Sequence, residues 1–177
     1  MAGGDEAAAL GAACGTGDLA AMQAVLSASA DPAMLMLTRC EKGWTPLTRA
    51  TLHRHVDAMH LLLEHPAADT AAMLMQTCSF GHTALLLAAA NGHVDATSLL
   101  LNHPSADPAA MLAFDSTHGM SALIAAAHFA ADFSPYDNPI RPFAPLLLLL
   151  RRIAVELQPS DAKQAHMTRV VEALSDQ

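Results

Sequence analysis

Ten histidines and three cysteines are the residues whose types could hold a metal or move a proton. Cys78 and His82 stand four apart, but Gly81 and Thr83, residues of turns and helix caps, place the segment in a loop. A closed zinc site needs four converging ligands, and no C-x-x-C or H-x-x-x-H pair is present to nucleate one. No metal ligands are therefore expected. His128 and Asp132, one helical turn apart, are the best acid–base pair. Neither a nucleophile nor a Gly-rich phosphate loop accompanies them. The expectation is no catalytic residue, no cofactor and no enzymatic activity, with the inserted segment Asp132–Pro142 the one remote place for chemistry.

Repetition gives the histidines a different meaning. His55 and His93 fill one place in two similar stretches, and His65 and His103 fill another. The stretches are GWTPLTRATLHRHVDAMHLLLEH from Gly43 and GHTALLLAAANGHVDATSLLLNH from Gly81, 38 residues apart. GMSALIAAAHFA follows from Gly119 at the same interval, and a worn copy, ALGAACGTGDLAAMQAVL, lies upstream. His65 and His103 are expected at the negative end of a helix. Cys40 and Cys78 occupy equivalent places in adjacent copies, too far apart to bridge if helices pack about 8–10 Å from one another, so reduced thiols are expected.

Within one copy, Thr83 can cap a helix that buries Leu85, Ala88 and Ala89 at spacing i, i+3, i+4. Asn91-Gly92 ends it in the left-handed conformation. A second helix from His93 buries Val94, Thr97, Leu100 and Leu101. Pro46 suits the first helical position, where its missing N–H costs nothing. Arg54 stands where Gly92 stands one copy later, and a non-Gly residue held left-handed costs about 1 kcal/mol. Small Ala on the first helix and Leu on the second predict a curved stack with the first helices inside. After the second helix, Asp69 or Asp107 followed by Thr/Pro-Ala-Ala can cap an extra turn. The methionines of Met34-Leu35-Met36 and Met73-Leu74-Met75 are expected mainly as core, with one of each pair left exposed.

These residues resemble the ankyrin repeat. Gly43, Thr45, Pro46, Leu47 and Ala50, then Gly81, Thr83, Leu85, Ala88, Ala89, Gly92 and His93 carry the likeness. It recurs weakly in Gly119, Ser121, Leu123, Ala126 and Ala127. The resemblance implies an all-α solenoid of helix-turn-helix units with long finger loops, over roughly residues 8–130. The units are longer than the family's usual length of about 33 residues. Thr48, Leu86 and Ile124 replace a histidine frequent in the family, so hydrophobic stacking is expected to do the work of its hydrogen bond.

The whole of 1–177 is read as one domain: repeats at about 5–40, 41–78, 79–116 and 117–158, an insertion at 131–145, and a capping helix at 159–177. A net charge of −8 with nine Lys and Arg argues against nucleic acid as a partner. The apolar run Leu146–Leu150 is far shorter than the ~20 residues of a membrane span. With no basic and apolar leader visible, the cytoplasm, or alternatively the nucleus, is the expected compartment.

What the resemblance implies is a non-catalytic module or scaffold, monomeric, that binds an unidentified protein. Finger tips and first-helix ends would make the contact. By position these are Trp44, Phe80, His82, His118 and Met120 in the fingers, beside Glu41, Lys42, Ser79 and Thr117. The helix ends add Leu52, His53, Asn91, His128 and Phe129, with Ala90. Trp44 and Phe80 are read equally as a binding hot spot and as packing between fingers. The alternative function is a small-molecule or metal-responsive regulator built on Phe80, His82, His118 and His128.

Overall fold

The computed structural model describes residues 2–40, 43–113, 121–132 and 149. Ten helices occur among them, and no β-strand. They come in triplets: α1 (Ala2–Thr16), α2 (Leu19–Ala28) and α3 (Pro32–Leu37); α4 (Pro46–Leu52), α5 (Val56–Leu63) and α6 (Thr70–Met75); α7 (Ala84–Ala90), α8 (Val94–Asn102) and α9 (Pro108–Ala113). α10 (Ala122–Asp132) opens a fourth set. Residues 114–120 with His118 and Met120, the part of the expected insertion 131–145 that follows α10, and the C-terminal helix expected at 159–177 lie outside the described residues.

Local chemistry fixes each helix. Thr45 and Thr48 form a reciprocal capping box at the start of α4, and Thr83 accepts the N–H of Leu86 at the start of α7. Pro46 occupies the first turn of α4. The turn to the second helix repeats a Schellman closure in all three triplets. Asp18, His55 and His93 donate their N–H groups to Ala13, Ala50 and Ala88. The residue before each of them, Gly17, Arg54 and Gly92, has positive φ, 60° at Arg54. Side-chain oxygens of Asp31 and Asp69 cap α3 and α6, and Asp107 accepts from Ala110 N at α9. The extra turn expected after Asp69 and Asp107 is thus a six-residue helix. The upstream copy, worn as its sequence is, has one too.

Like packs on like. First helices stack in a row α1–α4–α7–α10, second helices in a row α2–α5–α8, and α3 meets α6. The core is Leu, Met and Ala: Leu10, Met22, Met36, Met59, Leu62, Met73 and Leu100 are wholly buried. Burying a side chain of that size contributes about 1.5–3 kcal/mol, which is how such short helices hold.

Four details depart from expectation. In α7 every residue from Ala84 to Ala89 is buried, not one stripe, because α4 and α10 flank it while α6 and α8 back it. In α8 Ala96 is buried and Val94 only half so. α10 has 11 residues where α4 and α7 have seven. Phe129-Ala130 stands where Asn91-Gly92 stood, so nothing turns the chain left-handed and a good helix former carries it on. Finally, hydrogen bonds do join the units. His55 Nε2 donates to Gly15 O at 3.1 Å, and His93 Nδ1 to Thr51 O at 2.9 Å.

Candidate functional site

The fingers close by backbone pairing. Cys40 donates to Trp44 O and Gly43 to Cys40 O; Cys78 donates to His82 O and Gly81 to Cys78 O. Gly43 and Gly81 both have φ of 75°, a conformation that favours glycine. Adjacent fingers are tied together. Ser79 N–H donates to Gly43 O, Arg39 Nε and Nη2 donate to Thr77 O, and Gln76 Nε2 donates to Leu37 O.

This pairing sets Trp44 against Phe80, ring centroids 5.2 Å apart at 46°. Trp44 is half-buried and Phe80 is 49% exposed. The rings pack between fingers, and together they leave an aromatic ledge in water.

α4, which follows Trp44 in the chain, has an exposed stripe of its own. Pro46, Leu47, Thr48, Ala50 and Thr51 are buried, which leaves Arg49 and Leu52 half-exposed and His53, the C-cap, exposed. Those three share one stripe at i, i+3, i+4. Arg49, which the sequence reading passed over, lies in its middle, its guanidinium against Gly15 of α1. The His53 ring stacks on His55 at 6.2 Å. α7 offers less. Leu87, at the place of Arg49, is buried, and exposed Asn91 donates to Leu87 O at 2.8 Å, closing its own helix. His82 is half-buried beside its finger. Positions 128 and 129 lie on α10, while their side chains, like His118 and Met120, lie outside the described residues.

The remaining reactive residues have structural employment. Cys14, Cys40 and Cys78 are free and buried. Burial pushes the Cys14 thiol up to about 12, helped by Cys40 and opposed by Arg49. Such a thiol is no nucleophile at neutral pH. His103 is the C-cap of α8 and His65 follows the C-cap of α5, at the helix ends as expected; the Nδ1 atoms of His65 and His103 also accept the N–H groups of Ala67 and Ser105, each at 3.2 Å, and close the next turn. Met36 and Met73 are core, whereas Met34 is 61% exposed. Among the described residues no group of three or more His, Cys, Asp or Glu is placed to hold a metal ion, and no helix is long and apolar enough to cross a membrane. An open groove of about 640 Å³ runs between α5 and α8, but its two carboxylates, Glu64 and Asp95, already face His60 and Arg54.

Comparison with known proteins finds the same kind of repeat. Two family models of the ankyrin repeat match residues 42–72 and 80–111. No curated protein matches the chain in sequence. Among solved structures, a chain from the crystal structure of the yeast ribosomal protein Rps3 in complex with its chaperone Yar1 has the same fold. The TM-score is 0.67 at 21% identity, over 89% of this chain and 98% of that one.

Proposed function

We propose, from the premise that this chain carries ankyrin repeats, that it is a non-catalytic module which holds a partner protein against its first helices and fingers. The observation that carries the reading is the half-exposed Trp44–Phe80 ledge, in the same unit as the exposed stripe of α4. Aromatic rings on a rigid support supply contact area with little side-chain entropy to lose, and interface energy concentrates on such residues. The solved chaperone complex of like fold supports a protein as the ligand class. Of the ten positions expected at the interface, Trp44, Phe80, Leu52 and His53 form the centre of the proposed site, and Arg49 joins them. Asn91 is demoted to a helix cap. The module is proposed to act as a monomer in the cytoplasm or nucleus, with its repeats divided as the 38-residue interval divides them.

Affinity capture with the intact chain, repeated with Trp44→Ala and Phe80→Ala, tests this. Partner recovery is expected to fall at least about tenfold, with no more than about 1 kcal/mol of stability lost from the ring pair. A large loss of stability with capture intact would assign both rings to the fold and sink the proposal. Zinc titration by calorimetry tests the metal-responsive alternative, through loss of binding in His82→Ala and His118→Ala.

A further inference from the structure

The three buried cysteines are not equivalent. Cys14 lies on α1 and Cys40 at the base of the first finger. Gly11, three residues before Cys14, is where they meet. A Cβ placed on Gly11 would stand 2.4 Å from Cys40 Cβ and 2.6 Å from its Sγ, so the Cys40 side chain fills the space that glycine leaves open. On a helix, Cβ positions three residues apart are about 5–6 Å from each other. The Cβ atoms of Cys14 and Cys40 are therefore no more than about 8 Å apart. A helical side chain leans toward the N-terminus and covers the turn before its own Cα, which aims the Cys14 thiol back at the Cys40 sulfur. The two thiols also feel one another, Cys40 adding to the burial that keeps the Cys14 proton in place.

The next unit lacks this pairing. Cys78 repeats Cys40 at the 38-residue interval, but Thr51 stands three residues before Arg54 as Cys14 stands three before Gly17. The Thr51 hydroxyl donates to Leu47 O. Arg49 is beside the thiol pair as well, its guanidinium against Gly15 and its charge favouring a Cys14 thiolate. A bridged pair needs Cβ atoms about 3.5–4.5 Å apart. Among the described residues α1 packs on one first helix, and such an end layer shifts and opens at lower free energy than an inner one.

We propose that Cys14 and Cys40 form a reversible disulfide on exposure to a hydroperoxide, locking α1 to the base of the finger that carries Trp44. Cys40, the less buried of the two, reacts first. Its thiolate attacks one oxygen of the hydroperoxide, the O–O bond breaks, and Cys40 becomes a sulfenic acid. When α1 loosens, Cys14 leaves the apolar surroundings that hold its proton. Its thiolate then attacks the Cys40 sulfur and displaces hydroxide, which leaves as water. With hydrogen peroxide, two thiols and one peroxide give one disulfide and two waters. Cys40 Sγ then no longer donates to Trp44 O, its bond of 3.0 Å in the reduced chain. The inference is separate from partner binding and stands or falls without it.

The intact chain is treated with hydrogen peroxide, and its thiols are counted with a maleimide after unfolding. The three free thiols are expected to fall by two, peptide mapping to find Cys14 joined to Cys40, and dithiothreitol to restore both. Exchange of the α1 amides is expected to slow at least about tenfold in the oxidised chain. Cys14→Ala and Cys40→Ala should each abolish the link and the slowing, and Cys78→Ala neither. Cys14→Ser and Cys40→Ser replace any alanine variant that circular dichroism finds unfolded. Three thiols surviving peroxide, a link through Cys78 or between two chains, Cys40 oxidised past the sulfenic acid with Cys14 still free, or α1 amides exchanging as fast as in the reduced chain would each overturn the proposal.

Discussion

Single residues show where the sequence spoke clearly. Arg54 at the turn was legible because Gly92 sits 38 residues later, and its φ of 60° is the strain that substitution implies. Arg54→Gly should raise stability by up to about 1 kcal/mol, and Gly92→Ala should lower it by about the same, both read from urea unfolding. His93 was read as structural, but its bond to Thr51 O could not be foreseen, since nothing in a repeat motif says which carbonyl a ring nitrogen will reach. Burial lowers the His93 pKa below its ordinary 6.5, with Arg54 adding to the effect and the Thr51 bond opposing it. The unfolded chain then takes up the proton first. His93 therefore stabilises the fold fully above pH 6.5 and progressively less as pH falls from there through its lowered folded value. His93→Gln should flatten that part of the melting-temperature profile; an unchanged slope would remove His93 as its source.

At the scale of elements, the third short helix is the device that stretches each unit. Six-residue helices are too short to persist alone, so their caps matter more than usual. Asp69→Ala removes the bond to Ala72 N and should cost about 1 kcal/mol, measured by thermal unfolding; the same change at solvent-exposed Asp57, in the first turn of α5 with no capping bond, should cost less than about 0.5 kcal/mol. This helix was legible at Asp69 and Asp107 because Thr/Pro-Ala-Ala follows both. At Asp31, 38 residues before Asp69, Pro-Ala follows as it does at Asp107, so the same cap was legible there and was passed over. The full burial of α7 was illegible for another reason: periodicity reports one neighbour, and α7 has them on several sides.

The whole molecule behaves as a stack, with stability passed between neighbours instead of gathered in one centre. α7 packs on first helices α4 and α10, so its amides should exchange most slowly in hydrogen exchange, and those of α1, which among the described residues packs on one first helix, α4, sooner. Equal protection along the first-helix row would contradict this. The stacking direction was legible from the 38-residue interval. The proposed binding face draws only partly on the sequence: position named Trp44, Phe80, Leu52 and His53, but Arg49 stands where the next unit has a buried leucine, so a motif read in register hid it.

The cords between fingers have a mechanical consequence. With Gly43 bound to Ser79, Leu37 to Gln76 and Thr77 to Arg39, neither loop can swing without dragging the other. Under the proposed function a visitor meets a comb whose teeth are already set, and most of the ordering that a floppy loop would undergo at encounter has taken place during folding. Loosening one tooth, as Gln76→Ala would, should blunt the neighbouring tooth's grip as well, so damage to recognition can originate at a residue the visitor never touches.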